Sequence, residues 1–233
     1  MNYLAVGNLC AVDLEELQLP ISVEEAMRIL LRKGFVVREV DLVQLARNCV
    51  GVSSYRRGAK PVEAPSVFDC SSFTRWLYAQ RGIWLPRRSI QQREYGEIVA
   101  FEDASAGDLV FSSGWIDYWR DDPSDGVGHV GVVTELKTVI HAANKNVGVI
   151  ESSLESFSSI ELLRGIRRYI PLDRVVLTLE TPDHRHIEIS DDLRWVILQT
   201  LPKEALFQRS SEPSGIYSRS ALLIEMNPCP FTI

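Results

Sequence analysis

Cys70 stands in the run FDCSSF, and two histidines follow far downstream, His129 in GHVGVV and His141 in VIHAA. A thiol attacks a carbonyl as the thiolate. An imidazole can take its proton, and a third polar group can fix the imidazole's tautomer. The residue types for that chemistry occur here in the order Cys, His, His. Asp69, Cys70, Ser71 and Ser72 open a stretch whose spacing predicts an amphipathic helix ending at Gly82. A helix start carries partial positive charge and unpaired N–H groups, and both favour a thiolate. One cysteine and two histidines are nevertheless more often structural than catalytic, so the surrounding sequence has to decide.

The elements that must position these residues can be read in outline. Phe73, Trp76, Leu77 and Gln80 recur at three- and four-residue spacing, which gives the Cys70 helix a packing face. Residues 129–134 and 139–143 read as strands. If they pair through a hairpin around Leu136, His129 and His141 face the same side, because strand side chains alternate with period two. Residues 148–152 and 165–170 suggest further strands.

Upstream, Ser22 caps a helix, Glu25 completes a capping box, Ala26, Ile29 and Leu30 form its stripe, and Gly34 ends it. A second helix is expected over residues 40–50, with Leu42, Leu45, Ala46 and Cys49 on one face. The loop GVSSYRRGAKPVEAPSV follows. After the Cys70 helix come IWLPRRS, an extended turn, a polar stretch to Phe101, and ASAGDLVFSS, a turn entering a strand in which Asp108 bonds its own backbone. Residues 115–128 form a loop whose Trp115, Tyr118 and Trp119 serve either as a groove wall or as local packing. Past Pro171, VVLTLETPDHRHIEISDD reads as a hairpin turning near Pro182 and Asp183, and LRWVILQTLPKEALF as a short helix interrupted by Pro202. The expected organisation is an N-terminal helical extension (1–36), a central domain (37–170) and a small C-terminal appendage (171–233).

The bulk numbers narrow the classes. A chain of 233 residues can hold one sizeable core with additions, or two small domains. A net charge of −6 without a basic stripe argues against general nucleic-acid binding, and Arg167-Arg168 reads as a solvated strand end. Cys10, Cys49 and Cys229 lack CxxC spacing; they read as small buried hydrophobes rather than zinc ligands or a disulfide framework. The first residues lack a basic start and meet Asp13, Glu15 and Glu16 early, unlike a secretory signal. No apolar run approaches membrane-spanning length. A cytoplasmic location is favoured on that ground, unless the chain is the mature form of an exported protein. No feature of the sequence speaks to the oligomeric state.

From about Val43 to Tyr169 the chain resembles the NlpC family of cell-wall cysteine peptidases. The matching pieces occur in the family's order: LARNCVGVSSY, FDCSSF, GIWLPRRSIQQ, SAGDLVF, GHVGVV and VIHAA. Two departures are visible. Ser72 replaces the glycine of the usual Asp-Cys-Ser-Gly, and Arg56-Arg57-Gly58 replaces the glycine pair after the tyrosine matched by Tyr55. The resemblance implies an α+β, papain-like core, with the nucleophile at a helix N-terminus packed on an antiparallel β-sheet. It implies Cys70 as nucleophile, His129 as general base and His141 as the residue that orients it, with no metal or organic cofactor. It implies peptidoglycan or muropeptide as substrate, cut at the γ-D-glutamyl–diamino acid bond. Tyr55 would hold substrate or stabilise the oxyanion, with the Cys70 N–H as a second donor.

Asp69 has two compatible readings, a helix N-cap or a partner for a substrate's free amine. Ser71 and Ser72 are first-turn polar residues or substrate contacts. Arg87 is surface charge or a contact to a muropeptide carboxylate. Two other functions stay open at this stage: an amidase or acyltransferase of the same superfamily, and a non-catalytic wall-interaction module.

Overall fold

A computed structural model of the chain describes residues 2–114, 126–159 and 162–202. The aromatic loop with Trp115, Tyr118 and Trp119, and Cys229 with the turn-rich tail, lie outside these residues. In chain order the elements are β1 (Leu9–Asp13), α1 (Val23–Arg32), β2 (Val36–Arg38), α2 (Leu42–Arg47), β3 (Ser54–Tyr55), β4 (Val67–Phe68), α3 (Cys70–Gln80), α4 (Ser89–Arg93), β5 (Glu97–Val99), β6 (Leu109–Ser112), β7 (His129–Val133), β8 (Thr138–Asn144), β9 (Gly148–Ser153), β10 (Leu163–Arg168), β11 (Val176–Glu180) and α5 (Asp192–Leu198). Among the described residues no helix is long and apolar enough to cross a membrane.

The centre of the fold is α3 lying on an antiparallel sheet of order β5-β10-β6-β7-β8-β9, the α+β arrangement expected. Phe73 and Leu77 of α3 meet Leu109, Phe111, Val130, Val132, Ile140 and Ala142 in one continuous core. A smaller core on the other face gathers Val110, Val133, Val139, Ile166, Leu154 and Phe157. Alternate residues of β6, β7 and β8 thus supply opposite faces, as the period of a strand requires. The hairpin between β7 and β8 pairs Val133 with Val139 and Val132 with Ile140. Its turn is closed by the Thr134 and Thr138 hydroxyls, 2.6 Å apart.

Ser22 caps α1 as expected, accepting from the Glu25 N–H, while the Glu25 carboxylate meets Arg28 and Arg32 instead of closing a capping box. Asp41 caps α2 in the same way, accepting from the Gln44 N–H. Asp108 accepts from the Ser105 N–H at 2.8 Å, as a turn residue should, and also grips Arg168 through two hydrogen bonds of 2.9 and 2.7 Å. Arg168 is therefore an anchored ion-pair partner and not a solvated strand end.

The flanks differ from the sequence expectation. Residues 175–192 form no local hairpin. β11 instead lies between β1 and β2 in a separate three-stranded sheet. Its partners come from the N-terminal 38 residues, so residues before 37 and after 170 share one sheet. A period-two pattern shows that a strand wants a partner, not which partner it takes. β1 itself went unread: LCAVD is too short for periodicity, although Cys10, Ala11 and Val12 are wholly buried. α5 ends at Leu198, four residues before Pro202.

β1 is also joined to the far end of α3. The Ala11 N–H donates to the Gly82 carbonyl at 3.0 Å. Gly82 has φ +71°, and a Cβ there would lie 2.6 Å from the Cys10 nitrogen. Gly82→Ala should therefore cost roughly 2–4 kcal/mol, from the left-handed backbone plus overpacking. Gly51→Ala, at φ +70° with nothing within 4 Å, should cost only the backbone share, ~1–2 kcal/mol. Urea midpoints compare the two; equal losses would mean that β1 does not bear on the helix end.

Candidate active site

Three local structures meet at the start of α3. The first is the helix N-terminus itself. Asp69 caps it, its Oδ1 accepting the Ser72 N–H at 2.8 Å, while Ser72 Oγ accepts the Asp69 N–H at 2.8 Å. The second is the short parallel pair of β3 and β4, which sets Tyr55 beside Phe68, two residues before Cys70. The third is β7, whose preceding residue, Gly128, places its carbonyl 4.0 Å from Cys70 Sγ.

His129 and His141 project from one face of the β7–β8 hairpin, as expected. Their rings lie 4.9 Å apart, edge to face, and His129 Nε2 is 2.7 Å from His141 Nδ1. Extending the hairpin register by one residue puts Gly131 opposite His141. A Cβ at Gly131 would lie 2.9 Å from the His141 Cβ and 2.4 Å from Val139 Cγ1, so only glycine leaves the space the two rings use. Phe157 stacks on His129 at 6.2 Å and meets His141 edge-on at 5.3 Å. On the far side His141 Nε2 is 2.9 Å from Ser152 Oγ.

Cys70, His129, His141 and Tyr55 all line one open cavity of about 1020 Å³, which Ser152 and Phe157 also border. Arg56, Arg57 and Lys145 add positive charge to its lining. The other proposed substrate contacts are placed differently. Asp69 is buried, and its carboxylate accepts from Ser72 N, from Gly58 N at 2.9 Å, and from Arg87 Nη1 and Nη2 at 3.1 and 2.5 Å. Arg87 also donates to Ser71 Oγ at 2.9 Å. Asp69, Ser71, Ser72 and Arg87 thus bond to one another, and a substrate amine would have to displace Arg87 to reach Asp69. Sequence reading missed Ser152 and Phe157. Only the period-two spacing of Ile150 and Ser152 hinted that Ser152 shares a face with the histidines.

Electrostatics hold the Cys70 thiol and both imidazoles neutral at rest. Burial, and next the Asp69 charge, push the Cys70 thiol up to about 11; the Ser71 and Val130 N–H groups and Arg87 pull the other way. Burial, then His141, pushes His129 down to about 3, and burial alone takes His141 to about 4. The helix start favours a thiolate, but desolvation outweighs it here. For Asp69 burial acts upward, yet Arg87 and the Ser72 and Gly58 N–H groups hold it below its ordinary range. Among the described residues no group of three or more His, Cys, Asp or Glu is placed to hold a metal ion.

The NlpC/P60 family model matches residues 52–168. A Corynebacterium glutamicum protein named Probable endopeptidase Cgl2188 is 39% identical over 115 residues, which is 49% of this chain and 47% of that protein. A Bacillus cereus protein named Gamma-D-glutamyl-L-lysine dipeptidyl-peptidase is 34% identical over 106 residues, covering 45% of this chain and 29% of its own length. The chain thus spans less than half the length of these relatives. A crystal structure of an NlpC/P60 family protein from Bacillus cereus superimposes with a TM-score of 0.46 at 27% identity, covering 58% of this chain and 42% of the other.

Two measurements follow. Cys10 and Cys49 are buried and Cys70 is partly exposed, so a small alkylating reagent should label Cys70 before Cys10 and Cys49 in the folded protein; His129→Ala should slow that labelling. Early labelling of Cys10 or Cys49 would contradict the burial pattern. The second concerns acid. His129 and His141 titrate below their ordinary 6.5 when folded, so the unfolded chain binds more protons as pH falls from about 6.5 towards 4. Their contribution to stability is complete above 6.5 and shrinks below it. The unfolding temperature should drop between pH 7 and 5, and drop less in His141→Gln. The same slope in both proteins would count against two buried neutral imidazoles.

Proposed function

The chain belongs to the NlpC/P60 family, and on that premise we propose that it is a cysteine peptidase of peptidoglycan stem peptides. The observation that carries this reading is the 2.7 Å bond between His129 Nε2 and His141 Nδ1 in the cavity that Cys70 lines. With Nε2 engaged by His141, His129 Nδ1 is the nitrogen that takes the thiol proton. Sγ then bonds to the scissile carbonyl carbon, and the oxyanion is met by the Cys70 N–H and the Tyr55 hydroxyl. The C–N bond breaks as the imidazolium returns its proton to the amine. Water attacks the thioester with His129 again as base, and the C–S bond breaks to restore the thiol.

The bond proposed is γ-D-glutamyl to diamino acid. The name of the Bacillus cereus relative supports it, and the cations Arg56, Arg57 and Lys145 at the cavity suit a substrate rich in carboxylates. Asp69, Ser71, Ser72 and Arg87 act in this reading by holding the nucleophile's helix and the Gly58 loop.

Defined stem peptides, with and without a free N-terminal amine, followed by mass spectrometry, test the reaction. Cleavage at the γ-D-glutamyl bond is expected, none with Cys70→Ala, and a loss of roughly a hundred- to ten-thousand-fold with His129→Ala. His141→Ala should lose less, because it orients the base and does not carry the proton. Asp69→Asn, which still caps the helix, should slow free and N-acetylated peptides alike. A folded His129→Ala protein with undiminished turnover would remove the mechanism.

A further inference from the structure

The hydrogen-bonded chain does not end at His141. It runs from His129 through His141 to Ser152, with links of 2.7 and 2.9 Å. Each link holds one proton, so the chain has two directions. In one, Ser152 donates to His141 Nε2, His141 donates from Nδ1 to His129 Nε2, and neutral His129 carries its proton on Nδ1. In the other, His129 donates from Nε2, His141 donates from its own Nε2, and Ser152 Oγ accepts; His129 Nδ1 is then bare. Only the second direction gives His129 a lone pair for a thiol proton. It is also the only one that survives protonation, because an imidazolium has N–H on both nitrogens and needs an acceptor at His141 Nδ1.

We propose that Ser152 is a positioning residue that supports this direction by supplying the acceptor that the His141 Nε2–H needs. By accepting from His141 Nε2–H it holds both imidazoles in the Nε2–H tautomer. The proposal rests on the reading of His129 as general base. A hydroxyl suits the task because it accepts without bringing a negative charge. A carboxylate at the same place would favour a protonated His141, which has no lone pair left for His129. The position also fits: Ser152 is on β9, whose pairing with β8 puts Ile150 opposite His141 and Ser152 opposite Val139, so Ser152 shares the histidines' face two residues along.

The test is nitrogen-15 NMR of the histidine rings in the full chain at pH 7, with the exposed His184 and His186 assigned by Gln variants. The expected result is the Nε2–H tautomer for both His129 and His141 in the wild type, and a mixture in Ser152→Ala. Ser152→Thr keeps the hydroxyl and should keep the wild-type pattern. On a stem peptide, Ser152→Ala should lower kcat about three- to tenfold, the worth of one neutral hydrogen bond, with KM unchanged, and Ser152→Thr should restore it. An Nδ1–H tautomer at His129 in the wild type would overturn the proposal. So would tautomers that do not change in Ser152→Ala. If Ser152→Ala does not fold, the wild-type assignment still decides. If no stem peptide is cleaved, the function proposed above fails while the tautomers still judge Ser152.

Discussion

Two neutral imidazoles held 2.7 Å apart set the terms for much of this fold. A hydrogen bond between them needs one donor and one acceptor nitrogen, so the two rings cannot both be charged. Burial beneath Phe157 meets that demand by disfavouring both imidazolium forms. It also needs the rings on one face and diagonal to each other, which fixes the β7–β8 register. A slip by one residue would turn one histidine to the opposite face of the sheet. Gly131 keeps the space between the strands open, and the tight turn from Thr134 to Thr138, with Lys137 at φ 56°, pins the register from the closed end.

The start of α3 is organised around a buried charge that works against the thiolate. Asp69 ties together the helix N-terminus, the Gly58 loop and Arg87. A buried carboxylate is tolerable only when its lone pairs are filled and its charge is met, and Arg87 supplies both. Without Arg87 the carboxylate would raise the Cys70 thiol further, since Asp69 acts upward and Arg87 downward. The pair therefore gives Cys70 a rigid helix start at a small electrostatic cost. In the proposed mechanism proton transfer is left to the moment of attack, when His129 takes the proton as the carbon–sulfur bond forms.

What the sequence made legible has a physical pattern. Cys70, His129 and His141 stood out as candidates because the motifs around them resemble those of the NlpC family, and they could be brought to one place because each lies in an element with strong local signals: a capped amphipathic helix and two alternating strands joined by a short turn. The partners of Asp69 were hidden, because Arg87 follows a proline turn and meets Asp69 only in three dimensions. Ser152 and Phe157 were hidden for the same reason, since a serine on a half-exposed strand and a phenylalanine in a single turn are ordinary in isolation. α4, five residues in a polar stretch, lies below the length at which periodicity speaks. The sheet of β1, β11 and β2 was out of reach because strand pairing across some 165 residues leaves no local trace.

That distant pairing bears on the chemistry through the axis of α3. One end of the helix is held by Asp69 and Arg87. The other is held by the flanks: Arg81 donates to the Val176 carbonyl at 2.8 Å, Thr178 donates to the Arg81 carbonyl at 3.1 Å, and Ala11 bonds to Gly82 at 3.0 Å. A helix advances about 1.5 Å per residue, so a slide of even one residue would carry Cys70 out of line with the His129 ring. Misplacement by about 1 Å can cost roughly a hundredfold in rate. The strands outside the family match at residues 52–168 thus belong mechanically to the candidate site, since they fix where along the axis of α3 Cys70 stands.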